Sequence, residues 1–255
     1  MLRLIKRPVL AALNAAGYRI EKIPQGLEIT GPKEGYEMIR PGIGYAPWRT
    51  DPIFQPVYKK ILANTLVDEY RCYELWQLIQ ETTPSAGAFL EVGVWRGGTG
   101  ALIAAKAVIE NSDAPVYLAD TFTGVVKTSE KDSTYRGGEH ADVSFAKVAH
   151  FLHLDMKLEH VCLLKGIFPE ETASKIPGNT LFRFCHIDVD AYQSTRDVME
   201  WVWKRMTPGG IVVIDDYGFI TCNGVTQFVD EELRGNPECR VIHNLNGHAI
   251  VIKII

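Results

Sequence analysis

Short apolar runs alternate with helical stretches along most of this 255-residue chain, and four of those runs end in acids. Residues 88–92 carry Glu91, residues 116–119 lead into Asp120, residues 181–187 lead into Asp188-Val189-Asp190, and residues 211–214 lead into Asp215-Asp216. Helical patterns at 99–109, 142–156, 194–205 and 223–233 separate these runs and a further strand at 160–164. Strand–helix alternation predicts a parallel, doubly wound sheet. Residues 240–243 and 248–253 flank Asn244-Leu245-Asn246-Gly247, a hairpin turn, and so add an antiparallel strand at the C-terminus. The expected class is α/β: a Rossmann-like, mainly parallel sheet with an antiparallel C-terminal hairpin strand. Open sheets of this kind bind ligands at the carboxyl ends of their strands, which is where the acids fall.

The N-terminal part reads differently. Residues 20–55 are rich in Pro, Gly and aromatics without periodicity, an irregular arm. Residues 1–17 are basic, then apolar, then small; Pro8 interrupts them, and a short amphipathic helix fits better than a signal peptide. A helix is expected over 68–82, with Tyr70, Tyr73, Leu75, Leu78 and Ile79 on one stripe, stopped by Thr83-Pro84-Ser85. We divide the chain into an arm at 1–64 and a catalytic domain at 65–255. The arm has two candidate roles, covering its own active site or a neighbour in a homo-oligomer. No apolar run reaches the ~18 residues needed to cross a bilayer, so a soluble, cytoplasmic protein with no membrane partner is expected. A net charge of -4 gives no reason to expect nucleic acid. The five cysteines are scattered and odd in number, which suits a reducing compartment. Cys162 and Cys185, in apolar runs, read as small buried hydrophobes.

If the strands ending in Asp188 and Asp215 are neighbours, four carboxylates crowd one sheet end. Each raises the others' pKa, and a bound hard cation relieves the conflict; oxygen donors select Mg2+ or Ca2+. Asp188 and Asp190, two apart, face one side of an extended strand. Asp215 and Asp216 do so only if the chain has already turned. A cation there orients a hydroxyl and lowers its pKa, and a spare carboxylate takes the proton.

The turn after the first strand, Gly93-Val94-Trp95-Arg96-Gly97-Gly98, opens a helix. Its glycines let backbone approach a ligand, and Asp120 after the next strand suits ribose hydroxyls. Glu91 suits an amino group. The dinucleotide pattern G-x-G-x-x-G is absent; acid-x-Gly with a short glycine turn suits S-adenosylmethionine better.

Together, Glu91-Val92-Gly93-Val94-Trp95-Arg96-Gly97-Gly98, Asp120-Thr121-Phe122-Thr123-Gly124, Asp188-Val189-Asp190-Ala191-Tyr192-Gln193-Ser194-Thr195 and the segment from Pro208 through Asp215-Asp216-Tyr217-Gly218 resemble the macrocin O-methyltransferase family. That family methylates sugar hydroxyls in antibiotics. The resemblance implies a class I S-adenosylmethionine-dependent methyltransferase that uses Mg2+. It implies Asp188, Asp215 and Asp216 as metal ligands and Asp190 as general base. Thr65, Glu91, Gly93, Gly97, Asp120 and Phe122 would hold S-adenosylmethionine. The segment after Asp120 and the 166–172 stretch depart from the family pattern, so the acceptor is the least transferable part.

His140, in the polar segment 125–141, has two readings: a second catalytic or substrate-binding group, or a solvent-exposed loop histidine. Tyr192 and Tyr217 are candidates for the acceptor wall, and Arg71 for a substrate carboxylate or ordinary surface pairing. The expected activity is methyl transfer from S-adenosylmethionine, with Mg2+, to a hydroxyl of a small, glycosyl-type acceptor. The alternatives are a phenolic or catechol acceptor, a metal-dependent phosphoester hydrolase, and a non-catalytic scaffold.

Overall fold

The computed structural model describes residues 44–110 and 113–255, with isolated positions 12, 13, 15, 16, 35 and 36. The helix expected within 1–17 and the arm up to residue 43 therefore lie almost wholly outside the described residues. The chain divides into units Met1–Met38 and Ile39–Ile255, and the second unit carries the sheet. The boundary expected at 64/65 runs through that second unit.

Its strands are β1 (Ala88–Val92), β2 (Val116–Asp120), β3 (Val161–Lys165), β4 (Phe182–Ile187), β5 (Met206–Ile214), β6 (Cys239–His243) and β7 (Ala249–Lys253). Among the described residues they form one sheet in the order β3-β2-β1-β4-β5-β7-β6. β3 to β5 run parallel, and β7 pairs antiparallel with both β5 and β6. The sequence-level expectation of an α/β, mainly parallel sheet with an antiparallel C-terminal strand is met. The hairpin turn holds as expected: Leu245 and Gly247 take φ +62° and +91°, and the Asn244 side chain accepts the Asn246 N–H at 3.0 Å.

Side chains alternate between the two faces of the sheet. Phe89, Leu118, Phe184, Val213 and Ile250 face one core, with helices α1 (Phe54–Ile61), α2 (Glu69–Glu81) and α3 (Gly98–Ile109) packed on it. Leu90, Tyr117, Cys185, Val212 and Val251 face the other, covered by α5 (Tyr192–Trp203) and α6 (Asn223–Phe228). Trp76, Leu75 and Ile79 of α2 are essentially unexposed, each stabilising by roughly 1.5–3 kcal/mol over exposure. α2 starts where the sequence places it: the Asp68 side chain accepts the Tyr70 and Arg71 N–H groups at 2.9 and 3.1 Å, a side-chain N-cap.

Several expectations need correction. The helix expected over 142–156 is α4 (Phe145–His150) continued by wider π-type turns over Phe151–Asp155, and α6 gives way likewise at Val229–Leu233. Thr207-Pro208-Gly209-Gly210 does not simply close a helix. It loops out of β5, which pairs Met206 with Phe182 and Ile211 with Phe184. Cys185 is buried, but Cys162 is exposed, because β3 is an edge strand and its residues are not covered on both faces.

Candidate active site

With β4 and β5 adjacent, their acidic ends meet. Asp215 extends the ladder by one bond, donating its N–H to the Ile187 carbonyl at 2.9 Å. The chain then turns: Asp216 takes φ +62°, and Asp190 on the neighbouring strand φ +61°. Left-handed backbone in a non-glycine residue costs of order 1–3 kcal/mol and persists where the surroundings over-determine it, often at functional sites. The turn lets both acids of Asp215-Asp216 join one cluster. The Asp216 N–H donates to Asp215 Oδ1 at 2.8 Å, and the Cys222 thiol lies 3.7 Å from Asp190 Oδ1.

A cavity of about 220 Å³ opens over the cluster, walled by Asp188, Asp190, Asp215, Asp216 and the glycine turn after β1. Gly93 takes φ +92°, and a Cβ there would sit 1.6 Å from the Asp188 carbonyl oxygen. Only glycine lets the first loop pass this close to the end of β4. Asp120 organises that loop from β2: its Oδ2 accepts the Val94 and Trp95 N–H groups at 2.7 and 2.9 Å, and its Oδ1 accepts that of Phe122 at 2.6 Å.

From α2, Arg71 reaches into the acids. It is 7% exposed. Its Nη1 donates to Asp215 and, at 3.2 Å, to Asp216, while Nε donates to Asp68 at 2.9 Å. On the same side of the sheet, His186 Nδ1 meets Glu91 Oε1 at 2.9 Å and His248 Nδ1 meets Glu74 Oε2 at 2.5 Å. The surrounding charges make the four acids unequal. Burial works against the charge of Asp215, but Arg71, His248 and His186 hold it well below the usual carboxylate range. Burial, then the charges of Asp215, Asp216 and Asp190, push Asp188 well above it. Burial, then Asp215 and Asp190, raise Asp216 to about 8. Asp190 is also raised, chiefly by burial, although its hydrogen bonds with Asp216 and Tyr135 pull the other way. Burial opposes a charge on His186, yet its contacts with Asp215 and Glu91 raise it to about 10.

Of the residues expected at the site, the cavity wall contains Thr65, Gly93, Asp120, His140, Asp188, Asp190, Asp215 and Asp216. Three others lie off it. Glu91 is fully buried against His186, Gly97 caps α3 at φ +87° with Val148 beside it, and Phe122 packs edge-on against Phe145 at 5.4 Å. Tyr192 and Tyr217 also point away, their hydroxyls on Glu232 (3.1 Å) and Asp230 (2.7 Å). Arg71 is neither a surface pair nor free for a substrate carboxylate. His140 is exposed, yet its Nε2 stands 3.4 Å from the hydroxyl of Tyr135, whose pKa is raised by burial and then by the nearby charge of Asp190. Tyr135, His186, His248 and Glu74 were not singled out by the sequence. His186 and His248 have partners 95 and 174 residues away, beyond any local signal.

The donor set suits a hard divalent cation. Three carboxylates held above their ordinary range by burial and mutual repulsion are what such an ion relieves, and all four acids line one cavity. Among the described residues, ligand-capable atoms lie within 4.8 Å of one another in two groups, Asp190/Asp216/Cys222 and His186/Asp215/His248, and Asp188 belongs to neither.

Known proteins share both the sequence pattern and the fold. The family model described as Macrocin-O-methyltransferase (TylF) matches residues 56–238. Mycinamicin III 3''-O-methyltransferase of Micromonospora griseorubida is 30% identical over 176 residues, covering 63% of this chain and 68% of that protein. Demethyldecarbamoylnovobiocin O-methyltransferase of Streptomyces niveus is 29% identical over 182 residues, covering 66% and 67%. The match thus spans about two thirds of these relatives' length. The structure of the O-methyltransferase NovP superposes with a TM-score of 0.64 at 24% identity, over 75% of this chain and 83% of that one, a likeness of fold.

Proposed function

The chain belongs to the macrocin O-methyltransferase family, and from that premise we propose that it moves a methyl group from S-adenosylmethionine to a hydroxyl of a small glycosylated natural product, with Mg2+ as the activating ion. The observation that carries the reading is the meeting of four carboxylates and the Gly93 turn on one cavity wall.

Asp188, Asp215 and Asp216 would hold the ion, which supplies positive charge that lowers the pKa of an acceptor hydroxyl. S-adenosylmethionine supplies a methyl on a cationic sulfur; the acceptor oxygen bonds to that carbon as the carbon–sulfur bond breaks. Asp190 takes the hydroxyl proton. Its left-handed backbone and its bonds from Tyr135 and Cys222 aim it, and its raised pKa suits a base working near neutrality. His140, joined to Asp190 through Tyr135, is placed to orient the acceptor or relay the proton outward. Thr65, Gly93 and Asp120 serve the cofactor side, Asp120 by fixing the turn it caps. Glu91, Gly97 and Phe122 act from behind the wall: Glu91 through His186, Gly97 by starting α3, and Phe122 by anchoring the Asp120 turn.

The phosphoester-hydrolase alternative finds no support in this geometry, since Arg71, the cation at the acids, is committed to Asp215, Asp216 and Asp68. Among the described residues no helix is long and apolar enough to cross a membrane. The test is transfer of labelled methyl to a panel of glycosides bearing adjacent hydroxyls, with Mg2+ and then EDTA. Transfer that survives EDTA unchanged, or that needs a catechol, would sink the proposal.

A further inference from the structure

Behind the acid cluster, on the α2 face, four polar side chains form a row across adjacent strands. Glu91 on β1 is in register with His186 on β4. Ile214 is in register with Ala249, which sets Asp215 just after β5 beside His248 just before β7. Both histidines are fully buried. Each Nδ1 is already taken, by Glu91 at 2.9 Å and by Glu74 at 2.5 Å. Each Nε2 points at Asp215: His186 lies 3.5 Å from Oδ2, and His248 lies 3.5 Å from Oδ1. Neither Nε2, nor Asp215 Oδ2, has a hydrogen-bond partner among the described residues. Buried polar atoms are almost always paired, so three unpaired ones converging on a point need an explanation.

We infer that His186, His248 and Asp215 form a buried site for a first-row divalent transition ion such as Zn2+, bound through two imidazole Nε2 atoms and one carboxylate oxygen. The three ligand atoms lie within 4.8 Å of one another. Bonds of about 2.0–2.1 Å at a tetrahedral angle hold ligand atoms roughly 3.3–3.4 Å apart. The His186 Nε2–Asp215 Oδ2 separation of 3.5 Å is close to this, while the 3.5 Å approach of His248 Nε2 is to the other oxygen, Oδ1; both are too long for a good hydrogen bond. The outer groups fit as well: a metal-bound histidine usually gives its other ring N–H to a carboxylate, which fixes the tautomer. Glu91 and Glu74 are so placed. Imidazole donors select Zn2+-like ions over Mg2+, so this site differs in kind from the all-oxygen wall in front of it. Asp215 belongs to both, with Oδ1 on Arg71 and Oδ2 toward His186. Glu74, Glu91 and Asp215 bring three negative charges to the two buried rings, and one divalent ion offsets two of them. Two imidazolium protons would do the same, and they are the rival occupant.

The full chain, stripped with EDTA and held in excess Mg2+ to fill the oxygen site, is titrated with Co2+ alone. One equivalent is expected to give the visible absorption of a four-coordinate ion, and Zn2+ to bleach it. His186→Gln and His248→Gln each remove the signal, and Asp188→Asn keeps it. Glu74→Gln, which keeps the shape of the half-buried partner of His248, weakens binding about 10–100-fold with circular dichroism unchanged. A folded wild-type protein with no Co2+ signal, and imidazole nitrogen shifts showing both rings protonated at neutral pH, overturns the inference in favour of protons. A signal lost in Asp188→Asn but kept in His248→Gln overturns it too, by placing the ion among the acids.

Discussion

In the mechanism we propose, Asp190 carries the proton step, a role that can be separated from cofactor binding. Asp190→Asn keeps the shape and the Tyr135 contact but removes the base. Methyl transfer should fall by about 10²–10⁴-fold, while S-adenosylhomocysteine affinity, measured by calorimetry, stays within a few-fold of wild type. A parallel loss of affinity would mean the residue holds the cofactor instead. Asp216 offers a test through pH. Its folded pKa of about 8 lies above its ordinary 3.8, so without metal the folded state binds more protons than the unfolded state, and this group's contribution to stability falls as pH rises from about 4 toward 8. In EDTA, Asp216→Asn should therefore raise the melting temperature increasingly over that window. A difference flat with pH would contradict the assignment.

At the scale of elements, the site is a meeting of three: the loop after β1, the paired ends of β4 and β5, and α2. Gly93→Ala drives a methyl into the Asp188 carbonyl, so it should cost about 1–3 kcal/mol or more in denaturant titration and weaken cofactor binding. Gly178→Ala, with nothing within 4 Å and no positive φ, should be near neutral. Arg71 is the contribution of α2. Arg71→Met leaves Asp215 facing its acidic neighbours with only His186 and His248 opposite it, and removing one partner of a buried pair costs about 3–5 kcal/mol. That loss should be largest in EDTA and shrink when Mg2+ is added. A loss independent of Mg2+ would show that Arg71 and the ion do not share the acids. The sequence exposed these elements unevenly. The strand ends were legible because short apolar runs closed by acids are local signals. Arg71 was not, because its partner Asp215 is 144 residues away and a polar residue beside an apolar stripe reads as solvent-facing. Cys162 was misplaced because nothing within β3 says that it is an edge.

Across the whole molecule, the sheet order turns those local signals into a site. Placing β4 between β1 and β5 brings the glycine loop and both acidic ends to one cavity, and inserting β7 beside β5 brings His248 behind Asp215. The alternation of elements implied a parallel sheet but left open whether the two acidic strands were neighbours, and the antiparallel hairpin was readable from Asn244 to Gly247 but not the strand it joined, since strand order is set by non-local packing. The residues on the cavity wall follow from this topology. The most direct test is therefore a crystal grown with S-adenosylhomocysteine and Mn2+ in place of Mg2+. The expected result is an anomalous peak bonded to Asp188, Asp215 and Asp216, with the cofactor sulfur facing it across the Gly93 turn and Asp190 beside the gap. A peak elsewhere, or a cofactor lying away from that turn, would contradict the proposed site.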